Sequence, residues 1–210
     1  MIRILLVDDH PVARQGVRTV LTDRVKDALV GEAADAPGAL RQVEEGEWDL
    51  VITDISLRGM SGLDLIKHVR RIKPDLPTLV LSVHPASQFA HRALSAGAIG
   101  YLTKDSEFEE FVTAVDHARR GRRYVSKDTA DLLVRRSEAL DTAPHDTLSD
   151  REYQVLRMLG TGRTISDIAR DLGLSVKTIS TYRGRVLDKL GMKSNAELMR
   201  YAIENRLIDS

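Results

Sequence analysis

The stretch IRILLVDD, residues 2–9, decides the fold class of this chain. Its apolar side chains run almost unbroken from Ile2 to Val7, which is typical of a strand buried on both faces of a parallel sheet. Asp8 and Asp9 follow directly at the C-terminal end of this strand. Burying unpaired carboxylates is costly, and adjacent ones also repel each other. The stretch therefore predicts a parallel α/β sheet whose edge carries a charge cluster that needs compensation.

Four further apolar segments continue the pattern, with amphipathic helical segments between them. The predicted strands are residues 2–7, 28–33, 49–53, 77–82 and 99–102, and the predicted helices are residues 11–23, 36–46, 62–72, 86–96 and 107–120. Ser61 with Asp64, and Ser106 with Glu109, have the spacing of helix N-caps. Five alternations of strand and helix indicate a five-stranded, doubly wound parallel sheet.

The second part of the chain contains helical patterns only. Helix starts are predicted at Ser149, Thr164, Ser175 and Ser194, with Gly160, Gly173 and Gly191 at or near the ends of the first three helices. A lone helix over residues 126–137 and a polar segment over residues 138–147 separate the two parts. The sequence thus predicts an α/β domain over residues 1–120, a linker with a helix over 121–145, and a small all-α four-helix domain over 146–210.

Composition and charge indicate the compartment of the protein and the kinds of partner it can bind. The chain has no cysteine, which excludes disulfides and thiolate metal sites and favours a reducing, cytoplasmic location. No apolar run approaches the roughly 20 residues of a membrane span, and the N-terminus is typical of a strand rather than an export signal. Residues 1–120 hold 15 basic and 18 acidic residues, net −3, and residues 145–210 hold 11 and 9, net +2. This asymmetry is compatible with nucleic-acid binding but does not establish it.

Polar groups collect at the ends of the predicted strands, where open parallel sheets bind ligands. Asp8 and Asp9 end the first strand and Asp54 ends the third, and these strands are neighbours in the usual order for this pattern. Three carboxylates make a hard-oxygen site suited to Mg²⁺. Ser82 ends the fourth strand and Lys104 follows the fifth, so a hydroxyl and an ammonium join the acids. This set suits a phosphoryl group, with one carboxylate as the nucleophile.

Each of these residues also has an ordinary structural explanation. Asp9 or His10 could cap the first helix, while Asp54 and Lys104 could be solvated charges and Ser82 a strand-end hydroxyl. Their occurrence together at successive strand ends favours the functional interpretation.

Residues 2–120 resemble the receiver domain of two-component response regulators, which has a flavodoxin-like fold. The resemblance rests on Asp8-Asp9, Asp54, Ser82, Tyr101 and Lys104 at matching spacing. It implies that Asp54 accepts a phosphoryl group from a sensor histidine kinase. It further implies a Mg²⁺ site formed by Asp8, Asp9, Asp54 and the backbone carbonyl of Ser56, and a phosphate-site and switch group formed by Ser82, Tyr101 and Lys104.

Four positions near the expected site leave questions open. Arg58 stands where many receivers have a proline, which predicts a looser loop, and Asp105 stands where proline often follows the lysine. Tyr101 would be either a switch residue or a half-buried strand aromatic. His84 is expected to be a solvated loop residue rather than part of the site.

Residues 146–208 resemble the LuxR-type helix-turn-helix, which together with the receiver resemblance indicates the NarL/FixJ family. The resemblance rests on the ordered motifs LSDRE, ISDIARDLGLSVKTIS and KLGMKSNAEL. In the helix over residues 175–190, the side chains of Ile179, Val186, Leu187 and Leu190 share one side and are expected to pack inward. The opposite side presents small polar groups and cations that can enter a major groove. The predicted DNA-binding residues are Lys177, Thr178, Ser180, Thr181, Gly184, Arg185 and Lys193.

Two features of the helical domain keep more than one explanation. Gly184 costs about 1 kcal/mol relative to alanine inside a helix, and either close approach to DNA or a tolerated surface glycine accounts for it. On the last helix, Leu198, Tyr201 and Ala202 suit core packing as well as a dimer contact.

The expected function is a phosphorylation-controlled transcription regulator that binds double-stranded promoter DNA, forms a homodimer when phosphorylated, and is neither an enzyme nor membrane-bound. A haloacid-dehalogenase-like phosphatase would need a second aspartate two residues after Asp54, where this chain has Ser56. A dinucleotide oxidoreductase would need a glycine-rich turn after the first strand, where this chain has DDHPVARQG. A receiver without a DNA role is the third alternative, which the helix-turn-helix disfavours.

Overall fold

The N-terminal part of the chain folds around a parallel sheet in this computed structural model, which describes residues 1–138 and 143–208. Its strands are β1 (Ile2–Val7), β2 (Ala28–Ala33), β3 (Leu50–Thr53), β4 (Thr78–Ser82), β5 (Gly100–Thr103) and β6 (Tyr124–Val125). They are hydrogen-bonded in the order β2-β1-β3-β4-β5-β6, and every pair is parallel. The predicted five-stranded sheet is confirmed, and β6 extends it by a short strand at the edge of β5.

Six helices accompany this sheet: α1 (Pro11–Arg24), α2 (Ala36–Glu45), α3 (Gly62–Ile72), α4 (Ala86–Ala96), α5 (Phe108–Arg119) and α6 (Lys127–Glu138). One buried cluster joins Ile4 and Leu6 of β1 to side chains of α1 and α5. A second cluster joins Leu5 and Val7 to side chains of α2 and α3. Successive residues of β1 thus enter the cores on opposite faces, which explains the unbroken apolar run of the opening stretch.

Helix starts in this unit follow local hydrogen bonding. The Ser61 hydroxyl accepts a hydrogen bond from the Asp64 amide at 3.1 Å, which confirms the predicted cap of α3. The predicted cap at Ser106 is wrong, because its hydroxyl lies 3.1 Å from that of Thr103 and α5 begins after Glu107 without a side-chain cap. Ser106 therefore stands one residue before the N-cap position.

The C-terminal part of the chain is helical. It contains a short 3-10 turn (Pro144–Thr147) and the helices α7 (Asp150–Gly160), α8 (Ile165–Leu172), α9 (Val176–Leu190) and α10 (Asn195–Glu204). The predicted N-caps Ser149, Thr164, Ser175 and Ser194 all accept a hydrogen bond from a backbone amide three residues on. Gly173 and Gly191 end α8 and α9 in the left-handed conformation that glycine adopts without strain.

The contacts of the chain divide it into two compact units, Met1–Arg136 and Ser137–Ser210. Residues 139–142, which belong to the expected linker, lie outside the described residues, as do residues 209 and 210. Among the described helices, none combines the length and the apolar character that crossing a lipid bilayer requires.

Candidate functional site

Strand order brings the predicted acidic residues together. β1 and β3 are neighbours, with Val7 opposite Thr53, so Asp8 and Asp54 leave the sheet side by side. The backbone continues this pairing, because the Asp54 amide donates to the Val7 carbonyl at 3.0 Å. Asp8 and Asp54 are each 2% exposed, so both carboxylates are buried and require partners.

Lys104 supplies the compensating charge from the end of β5. Its Nζ donates to Asp8 Oδ2 at 2.7 Å and to Asp54 Oδ2 at 2.8 Å. Burial alone would lower the pKa of Lys104, but the charges and hydrogen bonds of Asp54 and Asp8 outweigh it and raise that pKa above its ordinary value. Lys104 is therefore an ammonium at neutral pH, held between the two carboxylates.

The other oxygens of these two acids accept backbone hydrogen bonds. Asp8 Oδ1 accepts from the His10 amide at 2.8 Å, and Asp54 Oδ1 accepts from the Ser56 amide at 3.3 Å. The longer second contact leaves Asp54 Oδ1 the more weakly held oxygen. Arg14 also donates to the backbone carbonyl of Asp8, which fixes the strand end from α1.

Asp9 is compensated less completely. Arg58 Nε lies 3.5 Å from its Oδ2, and His10 Nδ1 lies 2.9 Å from its Oδ1, but both partner side chains are largely exposed. The second approach is close without the geometry of a hydrogen bond, and Asp9 Oδ1 is buried without a hydrogen-bond partner among the described residues. His10 precedes α1 and makes no side-chain cap there.

The acidic cluster fits a hard divalent cation. Ligand atoms of Asp8, Asp9 and His10 all lie within 4.8 Å of one another, and Asp9 Oδ1 has no hydrogen-bond partner among the described residues. Asp8 and Asp54 share the one ammonium of Lys104, and Asp9 has only exposed partners, so a cation would relieve an excess of negative charge. Asp54, the third predicted ligand, is hydrogen-bonded through Oδ2 to Lys104.

Ser82 ends β4 and Tyr101 lies on β5, and both are linked to His84. Ser82 is fully buried, and its hydroxyl lies 3.4 Å from the His84 amide. The Tyr101 hydroxyl donates to the His84 carbonyl at 2.8 Å, with Tyr101 1% exposed rather than half-buried. The His84 ring lies 2.8 Å from the hydroxyl of Ser56, two residues after Asp54. His84 is therefore half-buried beside the site, which differs from the solvated position expected for it.

Gly62 is a site residue that the sequence reasoning missed. It begins α3, and a Cβ there would lie 1.9 Å from the Asp54 carbonyl oxygen. Its amide donates to the Ile55 carbonyl at 2.9 Å. A side chain at this position would displace the loop that carries Asp54. The only sequence signal is a glycine in the first turn of a helix, where it is a poor helix former.

Helix α9 presents most of the predicted DNA-binding residues to solvent. Lys177, Ser180, Thr181 and Arg185 on α9 and Lys193 in the following turn are exposed, while Thr178 and Gly184 are half-buried. The Thr181 hydroxyl donates to the Lys177 carbonyl at 3.0 Å, and Thr178 contributes its amide to the Ser175 cap. Ile179 and Val186 are fully buried on the other side of the helix, as expected.

The structure gives contacts for the two features of this unit that had more than one explanation, the apolar positions of α10 and Gly184. Leu198 and Ala202 of α10 are fully buried, and the Tyr201 hydroxyl accepts from the His145 amide at 3.3 Å, so core packing accounts for all three positions. A Cβ at Gly184 would meet no described atom within 4 Å. The packing of the unit itself therefore does not require a glycine there.

Two family models match the chain in sequence. The response regulator receiver domain matches residues 4–116, and the bacterial regulatory proteins of the luxR family match residues 146–202. The chain is 34% identical to the response regulator GacA of Pseudomonas aeruginosa, over 100% of this chain and 99% of the relative.

The chain is also similar to solved structures of the protein RcsB. RcsB of Salmonella enterica serovar Typhimurium, bound to promoter P1flhDC in the presence of the phosphomimetic BeF3-, is 26% identical, with a TM-score of 0.60 over 95% of this chain and 97% of that chain. A structure of two RcsB dimers bound to two parallel DNAs is 25% identical, with a TM-score of 0.61 over 99% of each chain.

Proposed function

The chain belongs to the NarL/FixJ family of two-component response regulators, which join a receiver to a LuxR-type DNA-binding domain, and on this premise we propose that Asp54 is its phosphoacceptor. It is a regulatory protein of transcription. The observation that carries the proposal is the Lys104 ammonium, 2.8 Å from the buried carboxylate of Asp54 and 2.7 Å from that of Asp8. This arrangement supports phosphoryl transfer because it places a cation where phosphate charge arrives.

The proposed transfer uses groups already at the site. An Asp54 carboxylate oxygen forms a bond to phosphorus, while the bond from phosphorus to a histidine nitrogen of a sensor kinase breaks and that nitrogen keeps the electron pair. Oδ1 is the more available nucleophile, since Lys104 holds Oδ2 and only the Ser56 amide, at 3.3 Å, contacts Oδ1. Lys104 then pairs with a phosphoryl oxygen, and the Ser82 hydroxyl donates to another.

We further propose that the acidic cluster binds Mg²⁺ through Asp8, Asp9 and Asp54, with the backbone carbonyl of Ser56. The buried Asp9 oxygen without a hydrogen-bond partner among the described residues supports this assignment. When bound, magnesium supplies positive charge for phosphoryl oxygens and for the charge that develops during transfer.

Intact mass after incubation with acetyl phosphate and Mg²⁺ tests the phosphoacceptor. The wild-type chain is expected to gain a phosphoryl group, and Asp54→Ala to gain none. Asp105→Ala is the matched control, because Asp105 is an exposed carboxylate directly after Lys104. A chelator should prevent the gain. Phosphorylation of Asp54→Ala at the wild-type yield would contradict the assignment.

The proposed output is phosphorylation-dependent binding of double-stranded promoter DNA in the cytoplasm by a homodimer. The proposed contacts on α9 are the exposed Lys177, Ser180, Thr181 and Arg185 and the half-buried Thr178 and Gly184, and the exposed Lys193 lies in the turn that follows. The RcsB dimers on DNA support this proposal, since two joined helix-turn-helix units gain affinity by reading two half-sites. Sedimentation of the phosphorylated sample is expected to show a dimer, and an unchanged mass would exclude phosphorylation-driven assembly.

A further inference from the structure

Four arginines lie within five residues at the end of α5, in the sequence RRGRR over residues 119–123. All four are exposed. Apart from these four arginines, the unit Met1–Arg136 carries 16 basic and 20 acidic residues, a net charge of −4, so the cluster is opposite in sign to the rest of its unit. A dense group of arginines on an otherwise acidic unit is suited to a polyanion.

The backbone holds this cluster in a defined turn. Gly121 has φ 66°, in the left-handed region, and the Arg122 amide donates to the His117 carbonyl at 2.9 Å, which is the pattern of a glycine-ended helix. Tyr124, two residues later, already belongs to β6. Arg122 and Arg123 are therefore anchored on both sides, and binding a ligand costs them less backbone entropy.

The four arginines differ in what they contact. Arg119 Nε lies 2.7 Å from Asp116 Oδ1, and Arg120 Nη2 lies 3.0 Å from Asp116 Oδ2. Both also suit the negative end of the α5 dipole. The side chains of Arg122 and Arg123 have no ion pair or hydrogen bond with any described residue. The structure of the unit explains the first pair, but it gives no internal role to the second.

We propose that Arg122 and Arg123 form an auxiliary site for the phosphate backbone of the DNA that the helix-turn-helix binds; this rests on the proposed DNA-binding function. Guanidinium groups bind phosphate oxygens in pairs of hydrogen bonds. DNA held by α9 is tethered to these arginines through one chain, so the second contact is intramolecular. The connecting helix α6 begins at Lys127 and has 12 residues, a length of about 18 Å.

The test is a titration of labelled random-sequence duplex DNA of about 40 base pairs with the full chain at several salt concentrations. The slope of log affinity against log salt is negative, and the double variant Arg122→Gln/Arg123→Gln should make it shallower. The change should be about 0.9 for each phosphate that the variant no longer neutralises, up to about 1.8. The matched control is Arg70→Gln/Arg71→Gln at the end of α3, on the other face of the sheet. These arginines are also exposed, and their replacement should leave the slope unchanged.

Four results would overturn the proposal. If the wild type binds DNA and the Arg122/Arg123 variant keeps its slope, the auxiliary site is wrong while the proposed function stands. If both double variants make the slope equally shallower, the effect is one of net charge alone. If the Arg122/Arg123 variant keeps its DNA slope but loses wild-type sedimentation with phosphatidylglycerol vesicles, the partner is a lipid surface. A wild type that binds no DNA overturns the proposed function and this inference together.

Discussion

Replacing Asp9 by asparagine is expected to stabilise the metal-free receiver unit. Ligand atoms of Asp8 and Asp9 lie within 4.8 Å of each other, and like charges at about that separation repel by roughly 3.5 kcal/mol at an effective dielectric constant of about 20. Lys104 compensates part of the Asp8 charge, and the exposed partners of Asp9, His10 and Arg58, contribute only about 0–1 kcal/mol each, so part of this repulsion remains. We expect the free energy of unfolding to rise by about 2 kcal/mol.

Magnesium should reverse the advantage of the variant. A ligand that binds only the folded state stabilises it by about 2.7 kcal/mol at one hundred times its Kd. Wild type should show this gain, whereas Asp9→Asn should show little of it, because the substitution removes one of the proposed carboxylate ligands. Urea unfolding with and without magnesium measures both effects. Trp48, the only tryptophan of the chain, reports on the receiver unit, where its indole donates to the Gln42 carbonyl at 2.7 Å.

The control for this experiment is Asp75→Asn, the same change at an exposed position of the same unit. It should alter stability by no more than about 0.5 kcal/mol and leave the magnesium response unchanged. A lower free energy of unfolding for metal-free Asp9→Asn would show that the charge of Asp9 is already compensated. A full magnesium response in the variant would show that Asp9 is not a ligand.

Two further predictions concern the C-terminal unit. Lys177→Ala should make the slope of log affinity for DNA against log salt shallower by up to about 1. Thr181→Ala should keep that slope and relax base preference at one position by about 1–3 kcal/mol. If both substituted proteins titrate like the wild type, on the DNA site and on sites with single-base changes, α9 is not the reading helix. Burial would raise the pKa of Glu152, but hydrogen bonds from Lys189 and Ser149 hold it below its ordinary value, so its stabilisation is present above pH 4.5 and disappears as the pH falls through the lowered pKa. Glu152→Gln should therefore cost about 1 kcal/mol at neutral pH and little in acid, and thermal unfolding followed by circular dichroism that finds an equal cost at both would contradict this.

The elements that the sequence predicts well are those with a repeating or local physical cause. β1 has both faces buried, so its apolar run identifies it without reference to any other part of the chain. The Ser61 cap depends on an amide three residues away and is predicted equally well. The Ser106 cap fails because α5 begins at Phe108, so that Glu107 rather than Ser106 stands at the N-cap position. β6 is missed because its two residues are too few to show a period.

The candidate site likewise contains contacts that the sequence predicts and contacts that it does not. Asp8 and Lys104 are 96 residues apart, yet their contact follows from topology, because parallel strands deliver their C-terminal ends to one edge of the sheet. The contact of His84 with Ser56 depends instead on the conformations of two loops and on one side-chain rotamer, none of which leaves a periodic trace in the sequence. Strand register is therefore enough to assemble the charged centre, whereas the loop contacts around it require coordinates.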